Sequence, residues 1–173
     1  LRAAEKDAAQ FPKFTTTVKQ ALIAGEEQFL DQVLWSGKVG DLLTSKRMYL
    51  NQEVASLYGI AGVSGIGISA VEVTSPERGA GILSHPAVLA AHSASAKGDV
   101  VHRGLFVYDA IVCGAKVPPP PPTAVMMIQS LPRDGNERQM ARMRAEKAAC
   151  AGCHALFDPF GLAQERYDAI GRY

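Results

Sequence analysis

The chain has 173 residues, 47% of them hydrophobic, and 18 Lys and Arg against 17 Asp and Glu give a formal charge of +1. That supplies enough apolar material for one or two small cores. The charge is too even for a nucleic-acid footprint or a polybasic membrane patch.

Phe14, Val18, Leu22, Gly25, Phe29 and Val33 recur every three or four residues. They predict an amphipathic helix ending near Gly37, with Trp35 anchoring its end in the core. Residues 41–45 and 51–58 read as two shorter helices, the second stopped by Gly59. The uncharged run 54–71 has the length of a membrane span. Its Gly59, Gly62, Gly65 and Gly67, with Ser56, Ser64 and Ser69, instead predict a buried loop and no span. The glycines at 62–67 lack the strand–turn–helix setting of a phosphate cradle.

Residues 70–73 read as a short extended piece and 86–92 as a brief helix whose first turn accepts Pro86. A better helix runs from the N-cap Asp99 to Cys113, ended by Gly114, with Leu105, Phe106, Tyr108 and Val112 on its buried side. Cys113 then reads as a buried, inert thiol, or as one that pairs with a cysteine outside this chain in an oxidising compartment. The five prolines from Pro118 to Pro122 impose polyproline II, read as a stiff strap across the core, with a recognition motif for a proline-binding domain as the other reading. Asp134-Gly135-Asn136-Glu137 has the form of a capping box. It opens a last helix running through Met140 and Met143 into a cysteine-bearing run.

That run, Cys150-Ala151-Gly152-Cys153-His154, is a C-x-x-C-H sequence, the attachment motif of c-type haem. Two thiols three residues apart share one helical turn and can form thioethers with the two vinyl groups on one porphyrin edge. His154 then serves as proximal iron ligand, and the cofactor expected is one covalent haem c. A closed zinc site needs further ligands. Outside the run only Cys113, His85, His92 and His102 are on offer, none at a short ligand spacing. A thioredoxin-like pair should follow a strand and open a helix, whereas this run ends a helix-like stretch. A simple disulfide across the turn is the remaining alternative.

His154 is expected to bind iron through Nε2 and to donate Nδ1–H to a carbonyl of a turn at 157–161, with Asp158 capping the next helix. Glu165 and Asp168 read as solvated charges, or as acceptors for backbone amides or for a propionate partner such as Arg166. The distal ligand is Met126 or Met127, on a flexible segment after the prolines, unless both are core filler. Met143 lies about 16 Å from His154 along a continuous helix and would serve only if that helix breaks. A neighbouring domain is the other source.

Taken in order, these blocks resemble a known pair of families. Arg78-Gly79-Ala80-Gly81-Ile82-Leu83-Ser84-His85-Pro86-Ala87-Val88-Leu89 resembles an R-x-G-I-L-T-x-x-A-V-L block. His102-Arg103-Gly104, Cys113 and the prolines follow as in R-G-x-F-V, L-L-C and P-P-P-P. The haem run, Asp158-Pro159-Phe160-Gly161-Leu162, and Glu165-Arg166-Tyr167-Asp168-Ala169-Ile170-Gly171 complete the set. This order is similar to the haem-bearing region of planctomycete- and myxobacterial-type cytochrome proteins, the fifteen-eighty-eight family of domains of unknown function. Tyr49-Leu50-Asn51-Gln52-Glu53-Val54-Ala55-Ser56-Leu57-Tyr58-Gly59 echoes the F-L-N-E-x-L-A-x-x-Y-G of the fifteen-ninety-two family. Many relatives carry His where Arg144 stands, six residues before the first haem Cys.

The resemblance implies a helical N-terminal region at 1–75 and a c-type haem region at 76–173. The fold class expected is mainly α: small helical domains, long irregular connections and a cytochrome c-like C-terminal attachment helix. Leu1-Arg2-Ala3-Ala4-Glu5 has no apolar signal-peptide core, so the chain is expected to be a processed or excised piece of a longer protein. Covalent haem implies a periplasmic or otherwise extracytoplasmic location. The function expected is single-electron transfer within a larger redox protein, to neighbouring domains or a separate redox partner. The alternatives are a haem enzyme with an open distal site, peroxidase- or oxygenase-like, and a structural zinc-binding module.

Overall fold

The apolar stripe near the start forms α1 (Thr16–Trp35), whose N-cap Thr15 accepts a hydrogen bond from the Val18 amide. Its buried face is Val18, Leu22, Gly25, Phe29 and Val33, as the periodicity predicts. This computed structural model describes residues 1–129 and 136–173. It divides into two units, Leu1–Gly98 with Tyr167–Tyr173, and Asp99–Arg166. The described elements are mainly helical with one small sheet, the class the sequence implies.

In the first unit, α2 (Asp41–Thr44) and β1 (Arg47–Leu50) follow α1, and α3 (Gln52–Leu57) is capped by the Asn51 side chain. β1 pairs antiparallel with β2 (Ser69–Glu72), Arg47 opposite Glu72 and Leu50 opposite Ser69. β1 lies against α1 where Gly25 leaves no side chain to meet the Tyr49 carbonyl. α4 (Pro86–Ala91) closes a core of Phe11, Val18, Leu22, Met48, Leu50, Val54, Ala90 and Ile170. Two expectations fail here, and one element is new. Trp35 is 82% exposed. The glycine-rich loop faces solvent, Ile66 most of all. The strand β1 was not foreseen, because four residues cannot show a period.

Arg78 staples the last seven residues to this unit. Its guanidinium donates to the Ser84 and Gly171 carbonyls at 2.8 and 3.0 Å and lies over the rings of Tyr58 and Tyr167. The Tyr58 hydroxyl donates to the Ile170 carbonyl at 2.7 Å.

The second unit is built on the crossing of α5 (Val100–Phe106) and α8 (Ala148–Leu162). A side chain at Gly104 would strike the Phe157 carbonyl, and one at Gly161 would strike the Val100 carbonyl. The two backbones therefore touch at both ends of the crossing. The buried Arg103 guanidinium donates to the Gln164 carbonyl at 2.9 Å, just past the end of α8. α5 begins at its Asp99 cap as expected and continues as a wider π turn (Val107–Ile111). Its buried side is Val100, Arg103, Gly104 and Val107, not the aromatic face expected, and Val112 is exposed. Two glycine-sized notches, rather than large side chains, make the contact.

Cys113 is exposed at a φ of 54°, so the buried thiol expected there is corrected. The first four prolines are exposed rather than laid on a core, and Pro122 opens α6 (Pro122–Gln129) at a position where its missing N–H costs nothing. Met126 and Met127 are thus helical, not on a flexible segment. α7 (Glu137–Ala145) opens with a capping box of Asn136 and Gln139. The box read from Asp134 falls partly outside the described residues, and the observed one lies two residues later.

Two predictions follow from this packing. Burial raises the Tyr58 phenol above its ordinary value of 10.0. The unfolded chain then loses that proton first, so stability is full below about pH 10 and declines as pH rises past it. Tyr58→Phe should lose about 1 kcal/mol near neutrality and show a smaller alkaline decline, read by urea unfolding. Gly161→Ala should cost about 2 kcal/mol or more by overpacking against Val100, read as a lower unfolding midpoint.

Candidate functional site

The C-x-x-C-H run occupies the first half of α8, a helix of its own and not the end of a longer one. α7 stops at Ala145, and Lys147 is extended (φ −98°, ψ 116°) before the chain turns helical again. No Gly or Pro marks that break. Alanines at 148, 149, 151 and 155 favour the new helix. Pro159 lacks the amide that would bond to the Ala155 carbonyl, and the contact with α5 holds the helix past it.

Cys150, His154, Phe157, Asp158 and Gly161 recur at three and four residues along one stripe of α8. Cys150 is 3% exposed, and Cys153 is half-buried. A side chain at Gly152, between them, would meet nothing within 4 Å. Phe157 packs its ring against the His154 ring at 4.9 Å between centroids.

The His154 Nδ1 donates to Asp158 Oδ1 at 2.9 Å. Asp158 Oδ2 accepts from Arg144 Nε, on α7, at 3.1 Å. Arg144 Nη2 lies equally near Oδ2 but out of line, and it is buried without a hydrogen bond. Both members of the Asp158–Arg144 pair are buried, with side chains 8% exposed. A carboxylate paired with a guanidinium only accepts, so it fixes the proton on Nδ1 and leaves the Nε2 lone pair open. No other hydrogen bond to the ring is formed among the described residues. The backbone carbonyl expected as partner of Nδ1 is replaced by this carboxylate. Residues 157–161 are helix, not a turn, and Asp158 sits inside α8 and caps nothing.

Beside His154 lies a cleft of about 280 Å³ lined by Ala141, Ala145, Ala155, Pro159 and Leu162, with Arg138 and Arg142 at its edge. Arg138 also pairs with Glu165. Neither cysteine lines this cleft. In donor chemistry the residues suit a c-type haem: two thiols on one turn and an imidazole held through Nδ1, with an apolar, arginine-edged cleft beside the imidazole that the thiols themselves do not line. These residues fit zinc poorly, since no group of three or more His, Cys, Asp or Glu among the described residues could share one ion. As for a thioredoxin-like pair, the run does open a helix, against expectation, but a helix rather than a strand precedes it.

The other residues singled out lie apart from the cleft. Met126 is exposed and Met127 half-buried on α6, which touches α8. Met143 is half-buried on α7, and the break that would free it does occur. His102 is exposed and bonded to Asp99 at 2.6 Å. His85 belongs to the first unit, buried against Glu26 at 2.8 Å. Asp168 accepts from the Ile170 and Arg172 amides and from the Arg172 side chain. The tether from Arg144 to His154 was missed, although the i, i+4 spacing of His154 and Asp158 carried half of it.

The family comparisons point to cytochrome c-like domain families. Residues 79–173 match the family PSCyt3, a protein of unknown function (DUF1588), and the chain belongs to it. Residues 1–60 match PSD4, a protein of unknown function (DUF1592), giving the pair and order that the sequence resembles. No curated protein and no solved structure matches the chain.

Truncating Asp158 would leave a buried guanidinium unpaired. Asp158→Ala should therefore destabilise the second unit by about 3 kcal/mol, measured by chemical denaturation against the parent.

Proposed function

We propose that the chain is the electron-relay part of an exported c-type haem protein, holding one haem through Cys150, Cys153 and His154. The observation that carries this reading is the His154 ring. Its Nδ1 is held by Asp158 while Nε2 is left open beside an apolar, arginine-edged cleft. Bound haem would supply a one-electron iron centre. The protein's contribution is positional. Cys150 and Cys153 would hold the group to the first turns of α8, while Phe157 and Asp158 fix the plane of the imidazole. Arg138 and Arg142, which line the cleft, would balance propionate charge. A thiol as buried as Cys150 is out of reach in the folded chain, which puts attachment before α8 finishes packing.

Met126 and Met127, on α6, would be the chain's own candidates for a second iron ligand, although neither lines the cleft beside His154. The partner is a neighbouring domain of the same polypeptide or a separate redox protein. Covalent attachment places the mature protein outside the cytoplasm. No helix among the described residues is long and apolar enough to cross a membrane.

The test is expression with a haem-export and attachment system, followed by the pyridine haemochrome spectrum. The expected result is a two-thioether c-type spectrum in the parent and a single-thioether spectrum in Cys153→Ser. A ferrous form slow to bind carbon monoxide supports the relay. Rapid binding would transfer the assignment to a haem enzyme with an open distal side.

A further inference from the structure

Three groups form one line of contacts: the His154 imidazole, the Asp158 carboxylate and the Arg144 guanidinium. The carboxylate divides its two oxygens between them, Oδ1 to the imidazole and Oδ2 to the guanidinium. It is buried, so water does little to screen its charge from the ring. Arg144 takes it through Nε alone, because Nη2 makes no hydrogen bond. The guanidinium thus anchors the carboxylate without drawing off the oxygen that faces His154. The two ends lie on different helices, α7 and α8, with the break at Glu146 and Lys147 between them.

We propose that Asp158, tethered by Arg144, is the positioning residue that sets the reduction potential at His154. This rests on the haem reading above. A carboxylate accepting from the outer ring nitrogen makes the inner nitrogen a stronger donor, which favours the oxidised metal and lowers the potential. The Arg144 charge opposes this by polarising Oδ2. The two residues therefore push the potential in opposite directions. A purely structural pair would not. The other cations of the cleft, Arg138 and Arg142, are exposed and make no contact with the Asp158 carboxylate, so solvent screens their charge from the ring more than that of Arg144.

The experiment compares the haem-loaded full chain with Asp158→Asn, Arg144→Gln and Arg144→Lys. Attachment is scored first by haemochrome, helix content by circular dichroism, and then the midpoint potential is read by optical titration. Asp158→Asn should raise the potential, by roughly tenfold in the one-electron equilibrium. Arg144→Gln should lower it, and Arg144→Lys should stay near the parent. Should Asp158→Asn fail to fold, a fall in Arg144→Gln that Lys restores still supports the proposal. Potentials unmoved in the variants, or moved the same way, with haem attached and helix intact, overturn it. A parent chain that carries no haem defeats the haem reading itself, and the proposal with it.

Discussion

The backbone-to-backbone approach of α5 and α8 governs the second unit. Gly104 and Gly161 each stand where any side chain would collide with a carbonyl of the facing helix. Two such contacts, one near each end of the crossing, leave α8 little freedom to roll or slide. That fixed rotation decides which residues turn inward. Cys150, Phe157 and Asp158 are buried while Ala155 and Leu156 face out, and His154 stands at the margin beside the cleft. The site depends less on the motif's spacing alone than on two glycines elsewhere that tell the motif which way to face.

Within that frame, buried arginines do much of the fastening. Arg78 donates to the carbonyls of Ser84 and Gly171, and Arg103 to that of Gln164. Each joins segments far apart in sequence. Burial pulls the Arg78 guanidinium below its ordinary value, an expense that its hydrogen bonds and the flanking tyrosine rings offset. Arg144 makes the same kind of staple at the site, with a carboxylate as acceptor. The carboxylate then passes order on to an imidazole.

Much of this was legible in the residues. The α1 stripe, the short helix before Gly59, the Asp99 cap and the helix at Pro86 all rest on local rules, and all appear. The family blocks fixed the domain pair. What stayed hidden depends on contacts distant in sequence. Nothing local marks the α7–α8 break, because Glu146 and Lys147 are ordinary helix formers, yet α7 ends there and folds back against α8. The return of Tyr167–Tyr173 to the first unit rests on Arg78, nearly ninety residues earlier. Arg144 looked like a departure from the family pattern, and its role emerged only once α7 and α8 lay side by side.

The claim that Cys150 and Cys153 hold a porphyrin through carbon–sulfur bonds is open to one direct measurement. It is the intact mass of the chain, matured in an exporting host and then denatured and reduced. The account predicts a mass greater than the polypeptide's by a single haem, moved by no reductant or acid. A mass equal to the bare polypeptide would contradict it.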